Sequence, residues 1–247
     1  MAGHTAHVAP ALSCVDIIAS LYFHVLRISP QAPDAPGRDI FLLSKGHGCM
    51  ALYSVLAHAG FFDPEILKTY GQNGSPLAEH PLAGKVPGIE FAAGSLGHGL
   101  AVAAGMAQGF KLRNNPARVF TLLGDGECEE GAVWEAAALA RALRLDNLTA
   151  IIDWNGWQAC GRCEDISDMD LPRCWDAFGW NVNLADGHDV PALASLFTQP
   201  NPQKIPRVVL CRTTKGKGID FMENNLEWHY RPVRGAEKDA ALKCLEP

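Results

Sequence analysis

The sequence predicts an α/β protein in which a mainly parallel sheet is flanked by helices, and three observations carry that expectation. A continuous apolar run at 119–123 reads as a strand buried on both faces of a parallel sheet, a second apolar run at 148–153 as its neighbour, and 207–212 as a further strand. Stretches with helical spacing separate them, so strand and helix alternate and the connections are right-handed crossovers. At 247 residues the chain suits one large domain with a sizeable core and is short for two.

Taken in order, Leu12, Val15, Ile17, Ile18, Leu21, Tyr22, Val25 and Leu26 follow helical spacing and give a first, largely buried helix that Pro30, Pro33 and Pro36 bring to an end. A short strand over 39–44 leads through Lys45-Gly46-His47-Gly48 into a helix over 49–59. Asp63-Pro64-Glu65 is a capped helix start, with Asp at the N-cap and Pro at the first helical position. A Pro- and Gly-rich loop over 71–94 precedes Gly94-Ser95-Leu96-Gly97-His98-Gly99 and a helix ending near Arg113. After the central strand come a helix over 131–143, the strand at 148–153, a helix over 171–178, a strand over 180–184, a helix over 189–197 and the strand at 207–212. The tail beyond Ile219 has weaker periodicity and is expected to wrap the surface as a C-terminal extension of the single domain.

Composition excludes several classes. With 48% hydrophobic and 19% charged residues the chain is globular and not disordered. A formal charge of -6 leaves no electrostatic footprint for nucleic acid or an anionic membrane. The first residues lack a basic segment followed by an apolar block, and no apolar run approaches a membrane span, so the cytoplasm is the expected location. Eight cysteines in unlike contexts do not form a disulfide framework. Cys160-Gly-Arg-Cys163 has the spacing of half a zinc site or a redox pair, but without a second pair a turn is the simpler reading.

The stretch around Gly124-Asp125-Gly126 carries the chemistry. Two glycines let the backbone turn at the carboxyl end of a buried strand, where ligands of open α/β sheets bind. A dinucleotide fingerprint would have glycine where Glu129 stands, and Asp125 would repel a diphosphate unless a hard divalent cation lay between them. Asn155 follows about thirty positions later, one strand-helix-strand unit on, and its amide oxygen is placed to complete the same coordination. An octahedral Mg²⁺ would take Asp125, Asn155, a backbone carbonyl near Trp157, two phosphate oxygens and a water.

Gly124-Asp125-Gly126 with Asn155 at this distance resembles the thiamin diphosphate signature, and most of the chain resembles the N-terminal, diphosphate-binding half of a transketolase. The resemblance runs in family order. It covers His7 with Ala11-Leu12-Ser13 and Asp16-Ile17, then Ser44-Lys45-Gly46-His47, His80-Pro81, Pro87-Gly88 and Gly94-Ser95-Leu96-Gly97. It continues through Glu129-Glu130-Gly131, Trp134-Glu135-Ala136, Leu145-Asp146-Asn147-Leu148, Gly187-His188-Asp189 and Lys215-Gly216-Lys217-Gly218.

The resemblance implies thiamin diphosphate with Mg²⁺, or Ca²⁺ or Mn²⁺ in its place. It implies that His7, His47, His80 and His229 line a channel above the cofactor and help move protons, a task suited to a group titrating near neutrality. His47, Gly94, Ser95, Leu96 and His98, with Gly124, Gly126, Glu127 and Trp157, fall on its cofactor-binding positions, and Asp125, Asn155 and Trp157 on its metal positions. Glu130 matches an acidic residue at the subunit contact, and as a carboxylate before a helix it is also favoured by the helix dipole. Lys215 and Lys217 are either site residues or a solvated turn, while His4, His24, His58 and His188 are left as structural.

Three departures stand out: Ala6 replaces the usual glycine before His7, His98 the usual Gln, and Glu79 the usual glycine before His80. The sequence also stops at Pro247 without the pyrimidine-binding domain, whose carboxylate activates the cofactor in this family. The resemblance therefore implies one subunit of a split transketolase, a heterotetramer of two such pairs, transferring a two-carbon ketol unit between sugars, usually sugar phosphates. A specialised two-carbon transfer in secondary metabolism, a non-catalytic cofactor-binding module and deoxyxylulose phosphate synthesis are the alternatives. The last is disfavoured because the His7 and Lys-Gly-His blocks look more like transketolase.

Overall fold

The computed structural model describes residues 7–246. Gly3, His4 and Ala6 lie outside the described residues. The sheet has five strands, β1 (Ile40–Leu43), β2 (Val119–Gly124), β3 (Leu148–Trp154), β4 (Asn181–Asp186) and β5 (Arg207–Arg212), in the order β1-β2-β3-β5-β4. Every neighbouring pair is parallel, with Val119 opposite Ile40 and Leu148, and Gly124 opposite Asp153. The helices are α1 (Val8–Ser20), α2 (Cys49–His58), α3 (His98–Leu112), α4 (Gly131–Ala142), α5 (Cys163–Ile166), α6 (Leu171–Ala177), α7 (Val190–Thr198) and α8 (Ala236–Cys244).

Strand periodicity sorts the core into two layers. Phe41, Leu43, Phe120, Leu122, Ile151 and Val209 point to the face covered by α1, α2 and α7. Ile40, Leu42, Val119, Leu123, Ile152 and Leu210 point to the face covered by α3, α4 and α6. Both faces are therefore covered, which is why β1, β2, β3 and β5 are largely apolar and buried along most of their length. β4, at the edge, keeps exposed positions and a mixed sequence.

Four expectations change. The first helix begins earlier, at Val8, and passes into a π-helical stretch Leu21–Val25. Val8–Val25 spans 18 residues with a mean hydropathy of 1.6, so a run of membrane-spanning length does exist. Most of it is buried among α2, α7 and the sheet, so its apolar character is that of a core helix. Asp63 does cap a helical turn, accepting from the Glu65 N–H, but the turn is a 3₁₀ segment, Pro64–Thr69. The tail does not merely wrap the surface: Ile219, Met222, Trp228 and Ala241 bury themselves against Ala9 of α1 as a small core of their own. That packing carries His229 inward.

Candidate active site

A cavity of about 620 Å³ opens at the carboxyl ends of the central strands. β1 delivers Lys45 and His47, β2 delivers Gly124, Asp125, Gly126 and Glu127, and β3 delivers Asn155 and Trp157. Lys215 follows β5, His7 and Pro10 come from the start of α1, His80, Gly94 and Leu96 from the long loop, and His229 and Tyr230 from the tail.

The floor is built by backbone amides and short side chains. Asp125, 4% exposed, accepts from the Gly126 N–H at 2.9 Å and from the Gly156 N–H at 2.5 Å. Burial lifts its carboxyl to about 6, the nearby Asp153 adds to this, and the two amides and Lys45 oppose it. Asn155 donates to Asp153 at 3.3 Å, and its carbonyl oxygen accepts from the Trp157 N–H at 3.0 Å. Glu127 holds three pieces of backbone together. It accepts from Ser44 Oγ at 2.5 Å and the Gly97 N–H at 2.8 Å on one oxygen, and from the Gly124 N–H at 3.0 Å on the other. Burial pushes its carboxyl up, against those hydrogen bonds.

The roof is imidazole. The ring of His7 lies 5.4 Å from that of His47, 6.3 Å from His80 and 5.5 Å from His229, with Tyr230 at 4.9 Å. His7 takes φ 70 and ψ 27 at the start of α1, a left-handed conformation that costs a β-carbon-bearing residue on the order of 1 kcal/mol or more. Its Nδ1 is buried without a hydrogen-bond partner in the described structure. Burial lowers His7 to about 4 and His229 to about 3, and drives His47 well below its usual value, each helped by neighbouring positive charge. These rings are neutral at pH 7. Lys215 is 1% exposed, donates to His229 Nδ1 at 2.7 Å and is lowered to about 8 by burial and by Lys45.

Some sequence-predicted residues stand elsewhere. Ser95 and His98 are exposed and are not among the residues lining the cavity, though Gly94 and Leu96 on either side of Ser95 are. Glu130, by contrast, does line the cavity, at its exposed edge, with its Cβ packed so close to Gly97 that a Cβ at Gly97 would lie 2.7 Å away. Lys215 is a cavity residue, whereas Lys217 is on the surface, 4.0 Å from Glu223. Cys163 sits against Asp125, its thiol raised to about 12 by burial and that carboxylate. Cys160 is exposed, and both are free thiols. Among the described residues no cluster of three His, Cys, Asp or Glu side chains is able to hold a metal alone.

The sequence reading missed the roles of Asp153, Ser13 and Thr213, whereas His188, left as structural, does structural work. Asp153 shares a strand face with Asn155, a period-2 signal that was available. His188 bonds Asp16 through Nδ1 at 2.8 Å and accepts from the Thr214 N–H at 2.9 Å, pinning the loop after β5 to α1.

Residues 2–245 match the family model described as transketolase, thiamine diphosphate binding domain. The chain is 42% identical over 241 residues to an apulose-4-phosphate transketolase subunit of Actinobacillus succinogenes, covering 97% of this chain and 87% of that one. It is 40% identical over 242 residues to a 6-deoxy-6-sulfo-D-fructose transketolase subunit of a Clostridium species, covering 97% and 88%. The transketolase structure from Campylobacter jejuni superimposes with a TM-score of 0.87 at 28% identity, over 97% of this chain and 39% of that one. With a glycine-flanked aspartate, an asparagine one unit on and a histidine roof gathered over a parallel sheet, the chain belongs to the transketolase family as its thiamine diphosphate binding domain.

Proposed function

We propose that this chain is the diphosphate-binding subunit of a two-component transketolase, moving a two-carbon ketol unit from a ketose to an aldehyde-type acceptor together with a second, pyrimidine-binding chain. The observation that carries this is the cavity itself, with a carboxylate and amide clamp at its floor and neutral imidazoles at its roof. Similarity to two proteins named as transketolase subunits over nearly their whole lengths supports the division into two chains.

The residues fit the group. A buried Asp125 whose ionisation is opposed by burial suits a divalent cation, and because the described residues form no three-residue metal cluster, that cation would share its shell with phosphate oxygens. Asp125, Asn155 and the Trp157 carbonyl would hold Mg²⁺, with Ca²⁺ or Mn²⁺ as substitutes. The backbone at Gly124 and Gly126 gives the diphosphate room to approach. When bound, thiamin diphosphate supplies the electron sink for cleavage next to the ketose carbonyl.

The chain's own groups do the rest. His7, His47 and His229 are neutral at pH 7, so each is able to accept a proton from a substrate hydroxyl and return it. Lys215 brings a positive charge beside them for developing negative charge on oxygen. The relatives' names contain a sugar phosphate and a sulfonated sugar, which supports a substrate with an anionic end. Heterotetramer assembly with Glu130 at a subunit contact and a cytoplasmic location, which free thiols favour, belong to the same proposal. A non-catalytic module has no need of a strained His7 or a buried Lys215 in the cavity.

The test is reconstitution. The chain with thiamin diphosphate and Mg²⁺ is expected to show no ketol transfer from a ketose phosphate until a pyrimidine-binding subunit is added, and Asp125→Ala is expected to abolish the activity of the mixture. Full turnover by the chain alone would overturn the two-component reading.

A further inference from the structure

Asp153 ends β3 at 0% exposure, directly beneath the floor of the cavity. Four side chains from four parts of the fold donate to it. Ser13 of α1 bonds Oδ2 at 2.5 Å, Lys45 after β1 bonds Oδ2, Thr213 after β5 bonds Oδ1, and Asn155 Nδ2 bonds Oδ2 at 3.3 Å. Its backbone carbonyl also accepts from the Asp125 N–H at 3.2 Å. Donors therefore reach both of its carboxyl oxygens, so an amide at this position would turn an N–H toward one of them. Lys45, 1% exposed, supplies the neutralising charge.

The consequence falls on Asn155. A carboxylate only accepts, so the Asn155 atom facing Asp153 is the nitrogen, and a backbone N–H only donates, so the atom facing Trp157 is the oxygen. The amide is thereby held in one of its two flips, with an oxygen lone pair left over on the cavity side. Without Asp153 both flips are open, and in one of them Asn155 presents N–H groups to a cation.

We propose that Asp153 is a positioning residue for cation binding: its carboxyl group fixes the Asn155 amide with oxygen toward the cation, and the Lys45 ammonium bonded to the same oxygen helps hold that group in place beneath the floor. This rests on the reading of Asp125 and Asn155 as a cation clamp. Outer partners of metal ligands typically change metal affinity by about 10- to 100-fold.

The test uses the full chain in the assembly that binds cofactor, with Mn²⁺ as the probe at fixed thiamin diphosphate, read by electron paramagnetic resonance. Asp153→Asn alone strands the Lys45 charge, so it is compared within a Lys45→Met background whose folding is checked by circular dichroism. Asp153→Asn in that background is expected to weaken Mn²⁺ by about tenfold or more. In the same background with Asn155→Ala, where no amide is left to orient, the further loss is expected to shrink to near nothing. A second readout needs no metal: with asparagine side chains labelled, an Asn155 amide proton shifted by its carboxylate partner is expected in Lys45→Met and absent once Asp153→Asn is added. Equal losses with and without Asn155, or an unshifted amide in both proteins, would overturn the positioning role. Mn²⁺ binding indifferent to Asp125→Ala would overturn the clamp, and the positioning role with it.

Discussion

The Lys215 ammonium donates to Nδ1 of His229 at 2.7 Å, which assigns the ring proton to Nε2 and leaves a neutral imidazole beside a buried cation. Burial lowers His229 first and the Lys215 charge second, bringing it to about 3. Lys215→Met removes only the second cause, so the His229 titration is expected to rise part of the way toward 6.5 and the Nε2–H tautomer to lose its enforcement. Nitrogen-detected histidine NMR reads both. A titration that stays put would contradict the pairing.

The same depressed imidazoles set a pH dependence of stability. A group whose folded pKa is lowered contributes stability that is present above its unfolded pKa and is lost as pH falls through the folded value. For His7 and His229 the window runs from their usual 6.5 down to about 4 and about 3. Asp125, raised to about 6, runs the other way, its contribution being lost as pH rises through that value. The histidine share is isolated by difference: between pH 7 and pH 5 the cofactor-free chain is expected to lose more melting temperature than the His7→Gln/His229→Gln variant. Equal losses in the two proteins would show that these rings are not held neutral.

Glycine at 99 is required by contact, since a Cβ there would lie 2.3 Å from Ser44 Oγ and 2.9 Å from the Ser44 backbone. Ser44 Oγ accepts from the Gly99 N–H at 3.1 Å and donates to Glu127, so the three residues lock the start of α3 to the ends of β1 and β2. Gly99→Ala is expected to destabilise the chain by about 1–3 kcal/mol through overpacking, measured by urea unfolding. The displaced Ser44 should also weaken thiamin diphosphate binding, because Glu127 then loses a donor. Wild-type stability would show that the contact relaxes at no cost.

How much of this was legible follows from which signals are local. Asp125 and Asn155 could be paired because one strand-helix-strand unit separates neighbouring parallel strands, a distance written along the chain. The strands on the covered faces were legible as apolar runs because both sides of the sheet are dry. Asp153 was legible only as a residue on the strand face of Asn155; its role was not, because its partners Ser13 and Lys45 lie 140 and 108 residues away and nothing local marks them. Lys215 reads equally well as a solvated turn until the tail folds over it. His98 was placed beside the cofactor by family resemblance alone, and in the folded chain it is exposed at the start of α3.

The tail gives the last prediction, because its periodicity is weak and its core is small. Trp228, 5% exposed, packs its ring 5.0 Å from that of Phe221 and shares a cluster with Ala9, Ile219, Met222 and Ala241. Truncating a buried aromatic to alanine costs about 3–5 kcal/mol where a cavity remains. Here the cluster is a satellite of the two main layers, so the loss is expected locally, as opening of the tail ahead of the sheet. His229 is the next residue, so its neutral, buried state depends on that packing, and Lys215 loses its acceptor when the tail opens. In Trp228→Ala, hydrogen exchange is therefore expected to speed up over 219–244 while β2 and β3 stay protected, and His229 to titrate nearer 6.5. Uniform loss of protection across sheet and tail would mean instead that the tail is an integral part of the central core.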